Sequence, residues 1–202
     1  MSRLLEASGR IGLLGGTFDP PHWGHIRTAV AAADELQLNQ LAFLPSPHPP
    51  HKRQQQHTPF VLRRQMVELC LSFDPRFRLC LIEHEMSLPG TTLETVNALR
   101  KGGFTEDRCH LIWLIGSDSL LELGSWRRPD DLLQSVEVAV LPRSGYPADR
   151  AEERFLRRVR LLQIPRVDIS SSDIRSGKRS LTQSVPPPVK EFIRAHQLYG
   201  VQ

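Results

Sequence analysis

A chain of 202 residues, 40% hydrophobic and 24% charged, is long enough for one compact domain around a full core and has the composition of an ordinary globular protein. No apolar run approaches the ~20 residues of a membrane helix, and Met1 to Arg10 carries no sustained apolar stretch or cleavage signal, so neither membrane insertion nor secretion is expected. The net charge of +4 favours anionic partners without distinguishing RNA from a small phosphorylated ligand.

Short apolar runs alternate with helical patterns along the chain. Ile11 to Leu14 and Leu41 to Leu44 read as the first two strands. Between them Ile26, Ala29, Val30, Ala33 and Leu36 recur at helical spacing. Pro45 to His57 is a long polar loop, of a kind that often carries function in compact domains. Val61 to Leu71 reads as a helix, Phe77 to Ile82 as the third strand and Thr92 to Leu99 as another helix. Leu111 to Ile115 and Val136 to Leu141 are the next strands, with Val159 to Ile164 a weaker sixth. Ala148 to Arg160 reads as a charged helix in which Phe155 and Leu156 can pack, while Arg154, Arg157, Arg158 and Arg160 read as a solvated face in preference to a contact with nucleic acid. Pro186 to Pro188 opens a final helix, Val189 to His196.

This alternation predicts an α/β fold: a Rossmann-like parallel sheet with helices on both faces, in a single domain spanning 1–202 with a helical C-terminal portion from about residue 165. In such sheets ligands bind beyond the carboxyl ends of the strands. The three cysteines, Cys70, Cys80 and Cys109, have no metal-binding spacing and read as buried thiols. Cys109 and His110 adjoin on a strand, so they point to opposite faces and do not share a metal.

The first strand runs into Gly15-Gly16-Thr17-Phe18-Asp19-Pro20-Pro21-His22-Trp23-Gly24-His25. Gly15 and Gly16 are expected to let the backbone turn sharply and approach a ligand. A helix beginning near His22 aims its free N–H groups and positive dipole end at the same spot, which makes an anion site. His22 and His25 share a face of the first helical turn, and Gly24 between them leaves room for a substrate. Two imidazoles there can donate hydrogen bonds to phosphate and gain positive charge beside a polyphosphate. Neither a P-loop nor the Gly-x-Gly-x-x-Gly dinucleotide fingerprint is present, and no serine–histidine nucleophile arrangement is found.

The segment resembles the HxGH signature of the nucleotidyltransferase superfamily, and its longer form resembles the bacterial nicotinate mononucleotide adenylyltransferases. Further along, Pro49-Pro50-His51-Lys52, Gly116-Ser117-Asp118, Trp126, Ile169-Ser170-Ser171-Ser172-Asp173-Ile174-Arg175 and the ending Val189 to Tyr199 resemble later motifs of that family in order. The resemblance implies transfer of the AMP part of ATP to nicotinate mononucleotide, with Mg²⁺ arriving on the triphosphate and no covalent intermediate. It implies that His22, His25, Lys52 and Arg175 surround the reacting phosphates. Gly15, Gly16, Thr17, Phe18, Gly116, Asp118, Ile169, Ser170 and Ser171 are implied to complete the ATP site. Ser171 or Ser172 is expected to cap the short helix bearing Arg175, and a plain capped turn is the simpler account of these serines.

On the acceptor side the resemblance implies Thr92 and Leu93 as N–H donors to the pyridine carboxylate, Trp126 stacked on the ring, Asp118 on a ribose, and Arg143 nearby. The simpler accounts are Trp126 as core filler and Asp118 as a helix cap. Two positions depart from the family: Arg127 stands where an aromatic residue is common, and Thr91 where a tyrosine is common. Both lie near the expected pyridine pocket, so the preference for nicotinate over nicotinamide is left open. Phosphopantetheine is the acceptor in the nearest rival enzyme. A protein of another class, an RNA-binding relative of tRNA synthetases, would need a docking region for which the length leaves little room. The expected partners are therefore ATP and nicotinate mononucleotide, without nucleic acid or membrane, in the cytoplasm. Oligomeric state is not legible.

Overall fold

A computed structural model describes residues 6–47, 57–88 and 90–200. The Pro-Pro-His-Lys segment with Lys52 lies outside the described residues. The strands are β1 (Gly9–Gly16), β2 (Gln40–Pro45), β3 (Phe77–Leu79), β4 (Cys109–Gly116), β5 (Glu137–Leu141) and β6 (Arg160–Leu161). They form one parallel sheet in the order β3-β2-β1-β4-β5-β6. The helices are α1 (Trp23–Glu35), α2 (Phe60–Cys70), α3 (Ile82–Glu85), α4 (Thr92–Lys101), α5 (Ser117–Leu121) and α6 (Pro129–Ser135). They continue with α7 (Glu153–Leu156), α8 (Ser171–Arg175), α9 (Leu181–Ser184) and α10 (Pro187–Ala195).

The period of two along each strand sorts its side chains between two cores. Leu14, Leu41, Phe43, Ile112 and Leu114 face α1, α2 and α10, which contribute Ile26, Ala29, Ala33, Met66, Val67, Val189 and Ile193. Ile11, Leu13, Leu44, Leu111, Trp113 and Ile115 face Val96 and Leu99 of α4, Leu120, Leu132 and Phe155. Burial on both faces explains why these strands read as unbroken apolar runs. The chain leaves β1 toward β2 on one side and leaves β4 toward β5 on the other. The carboxyl ends of the adjacent strands β1 and β4 thus frame a topological switch point.

Three segments differ from their sequence reading. β3 stops at Leu79: the Cys80 amide still donates to the Phe43 carbonyl at 3.0 Å, but Ile82 already opens α3. The stretch Ala148 to Arg160 is not one helix. A 3-10 turn at Ala148–Arg150 and the short α7 precede β6. Arg160 and Leu161 pair with Ala139 and Val140 of β5, and the Leu162 amide donates to the Val140 carbonyl, so the chain is extended here and the helix must end before it. The weak sixth strand is correspondingly reduced to Arg160 and Leu161. Three arginines of this stretch are ion-paired, Arg154 with Glu152, Arg157 with Glu153 and Arg158 with Asp130, and Arg160 donates to the Glu35 carbonyl at 3.3 Å. That is a solvated ion-pair face. Among the described residues no helix is long and apolar enough to cross a membrane.

Candidate active site

α1 begins at Trp23, with His22 as its N-cap. The His22 backbone N–H donates to Nδ1 of His25 at 3.2 Å. An accepting Nδ1 leaves the proton of a neutral His25 on Nε2, as a donor. The two imidazoles stack with centroids 3.7 Å apart, and the Phe18 ring meets His25 edge-on at 5.0 Å. The sharp turn expected at Gly15 and Gly16 falls instead at Phe18, whose φ is 49°; both glycines still belong to β1. Gly16 is required for close approach, because a Cβ there would lie 2.9 Å from Cζ of Phe18. The space beside Gly24 is likewise filled by the protein. A Cβ would lie 2.8 Å from Nδ1 of His22 and 3.4 Å from Cβ of Ile169, so this glycine admits the imidazole and brings Ile169 against α1.

His22 is 4% exposed and its Nδ1 is buried without a partner among the described residues. Burial, then the positive charges of Arg143 and Arg179, push its pKa down to about 3. Burial, His22 and Arg143 hold His25 well below the usual imidazole range. In the free protein both rings are therefore neutral N–H donors, which revises the expectation of charged imidazoles. Positive charge comes from guanidinium groups instead. Arg179 lies past the end of the recognised motif, and nothing in the sequence singled it out.

The same burial predicts acid sensitivity. An unfolded imidazole takes its proton near 6.5, whereas folded His22 stays neutral down to about 3. The unfolded state thus binds the extra proton, and stability falls as the pH drops below about 6.5, by on the order of 1.4 kcal/mol per pH unit. Chemical denaturation of a His22→Asn variant should lose less stability between about pH 7 and about pH 5 than the parent, by roughly 2 kcal/mol. Equal losses would show that His22 is not held neutral.

The loop between β1 and α1 is fastened from three directions. From α8, the Arg175 guanidinium donates to the Asp19 carbonyl at 2.7 Å and Ser171 Oγ donates to the Pro20 carbonyl at 2.9 Å. The cap of α8 is Ser170, not Ser171 or Ser172: its Oγ accepts from the amides of Ser172 and Asp173. From the chain end, the Tyr199 hydroxyl donates to Oδ1 of Asp19 at 2.7 Å. From the start of α2, the Thr58 amide donates to Oδ2 of Asp19 at 3.3 Å, and His57 Nδ1 lies 3.3 Å from the same oxygen. Burial raises the Asp19 pKa, but the bonds from Thr58 and Tyr199 and the charge of Arg175 outweigh it and leave a carboxylate below its usual range. Beneath them the buried Arg63 donates to the carbonyls of Thr58, Thr17 and Ser46. Asp19 stood inside the motif without a role, and Arg63 and Tyr199 were not read as site residues at all.

Beyond the ends of β1 and β4 opens a cavity of about 410 Å³, bordered by Gly16, Thr17, Thr92, Leu93, Trp126 and Arg143. Trp126 packs against the core, and its indole N–H is buried without a partner among the described residues. Asp118 is not a cap. It lies in the first turn of α5, whose N-cap is Gly116, and its Oδ1 is 3.2 Å from Nε of Arg143. Arg127 turns outward, 66% exposed, to Glu94 at 3.1 Å, and the Thr91 hydroxyl also donates to Glu94. A second cavity, about 520 Å³, is bordered by Ile169, Arg179, Arg27 and Arg166. Among the described residues no cluster of three or more His, Cys, Asp or Glu is placed to hold a metal.

The chain has known relatives. Residues 13–177 match the cytidylyltransferase-like family. A probable nicotinate-nucleotide adenylyltransferase of Desulfotalea psychrophila is 32% identical over 94% of this chain and 99% of its own length. One from Symbiobacterium thermophilum is 36% identical over 94% and 95%. The structure of Plasmodium falciparum nicotinic acid mononucleotide adenylyltransferase complexed with NaAD superposes with a TM-score of 0.75 at 17% identity, covering 96% of this chain and 98% of that one, and so shares the fold. A switch-point cavity beside a paired-histidine helix start, with relatives at this identity over nearly the whole length, places the chain in the nicotinate-nucleotide adenylyltransferase family, within the cytidylyltransferase-like proteins.

Proposed function

We propose that this protein joins ATP and nicotinate mononucleotide to give nicotinate adenine dinucleotide and pyrophosphate. A phosphate oxygen of the mononucleotide attacks the α-phosphorus of ATP, the bond to the β-phosphate oxygen breaks, and pyrophosphate leaves in line. The attacking phosphate is already an anion, so no protein nucleophile or base is required. The protein aligns the two phosphates and stabilises charge as it shifts to the leaving group.

The observation that carries this reading is the buried, neutral imidazole pair at the start of α1, which Arg143 links electrostatically to the cavity bordered by Gly16, Thr17 and Trp126. The cavity with Ile169 and Arg179 suits the adenosine side, and the cavity with Trp126 suits the pyridine side. Thr92 and Leu93, at the start of α4, have amides free for a carboxylate there. Arg143 borders the pyridine cavity and acts electrostatically on both imidazoles, so it stands between the two substrates. Lys52 and Arg175 add positive charge to the triphosphate in this reading. The nucleotide enters as its Mg²⁺ complex, the metal being held by phosphate oxygens and waters. A cytoplasmic location is in keeping with the need for ATP.

Pyrophosphate release from MgATP, measured with nicotinate mononucleotide, nicotinamide mononucleotide and phosphopantetheine in turn, should be fastest with the first. Release with phosphopantetheine alone would overturn the assignment. Trp126→Ala should raise the KM for the pyridine nucleotide about tenfold, the loss of one stacked aromatic contact, and leave the KM for ATP nearly unchanged. An equal rise in both would place the indole outside the acceptor site.

A further inference from the structure

We infer that Glu83 sets the choice between a carboxylate and a carboxamide on the pyridine ring, admitting the carboxylate as a neutral acid and favouring the carboxamide as an anion. The inference rests on the reaction proposed above and specifies how its acceptor is selected.

Glu83 belongs to α3, is 7% exposed, and borders the same cavity as Thr92, Leu93 and Trp126. Its Oε1 accepts from the Thr95 hydroxyl at 2.8 Å, which ties the carboxyl beneath the first turns of α4. No ion pair reaches it among the described residues. The cations bordering the cavity are committed elsewhere, Arg127 to Glu94 and Arg143 to Asp118. The other ionisable groups around it do not supply a counter-charge. Cys80, following β3, is a thiol pushed up to about 11 by burial. His84 and Glu85 of α3 are exposed, and Glu94 of α4 is already paired.

A buried carboxyl with one hydroxyl donor and no cation is costly to ionise. Burial raises the Glu83 pKa above the usual carboxylate range, against the opposing effect of the Thr95 bond. As a neutral acid it has a proton to donate, which a pyridine carboxylate oxygen or a carboxamide oxygen accepts, so the neutral form admits either group. Once ionised, it repels the carboxylate and accepts from the NH₂. The choice between the two acceptors is then coupled to one proton.

The test compares kcat/KM for nicotinate and nicotinamide mononucleotides from about pH 6 to about pH 9, at saturating MgATP. Both acceptors carry the same phosphate and meet the same imidazoles, so those ionisations cancel in the ratio. The nicotinate-to-nicotinamide ratio should fall on the order of tenfold as the pH rises, the effect of one like charge at close range. In Glu83→Gln the ratio should stay constant within about twofold. Thr95→Val, which removes the hydroxyl that steadies the ionised form, should move the midpoint of the fall to higher pH and serves if the glutamine variant does not fold. A flat ratio in the parent, or an unchanged slope in Glu83→Gln, would overturn the role of Glu83 while leaving the reaction in place. Failure to adenylylate either mononucleotide would overturn both.

Discussion

Replacing His25 with alanine should lower kcat on the order of 10²–10³-fold, the scale for loss of one preorganised donor at a site of developing charge. Neutrality is what makes the loss large. The His25 ring is held neutral by burial and by nearby positive charge, and its Nδ1 is occupied by the His22 amide, so one N–H points from a fixed ring. The stack with His22 and the edge contact from Phe18 fix the orientation before substrate arrives, so no reorganisation is needed as charge moves to the leaving group. The KM for ATP should change much less than kcat, because the donor matters most in the transition state. The variant also loses a bond at the helix start, at a cost of about 1 kcal/mol, so its fold should persist. Single-turnover and steady-state rates of pyrophosphate release check the prediction. A His25→Ala protein with unchanged kcat would remove this residue from the chemistry.

The sheet was legible because a strand buried on both faces must be apolar throughout. Leu41 to Leu44 and Leu111 to Ile115 each lie wholly within observed strands. The phosphate loop was legible because its demands are local: a helix start, two imidazoles in one turn, and glycines wherever a ring must lie against the backbone. What escaped the sequence depends on distant partners. Phe155 was correctly expected to pack, but only the pairing of Arg160 and Leu161 with β5 shows where the segment must stop being helical. Glu83 reads as one of two acidic residues in Ile82–Glu85, and only the cavity beside it and the hydroxyl of Thr95 mark it out. Ser170 was passed over as a cap in favour of its neighbours because three consecutive serines satisfy the capping rule equally well; the backbone start of α8 decides among them.

Arg63→Met should destabilise the protein by on the order of 3–5 kcal/mol, although methionine fills much of the same volume. Arg63 is 1% exposed, and a sequence pattern would assign it to the polar side of α2. Its guanidinium instead donates to the Thr58 carbonyl at 2.8 Å, to Thr17 at 2.7 Å and to Ser46 at 2.9 Å. Burial lowers its pKa, while the nearby Asp19 opposes that effect, and a guanidinium stays charged in either case. Methionine donates to none of these carbonyls, and each buried acceptor left unpaired costs about 1–3 kcal/mol. Lysine is not equivalent, since a single ammonium cannot reproduce the planar fork that spans three carbonyls. The thermal midpoint should fall by roughly 10 °C for a domain of this size. The three carbonyls belong to the β1–α1 loop, the end of β2 and the approach to α2, which are the supports of the proposed phosphate site. Below its unfolding temperature the methionine variant should therefore also bind MgATP more weakly, and saturating MgATP should recover part of the lost midpoint. A shift smaller than about 2 °C would mean that water replaces the guanidinium at little cost and that Arg63 does not hold these three segments together.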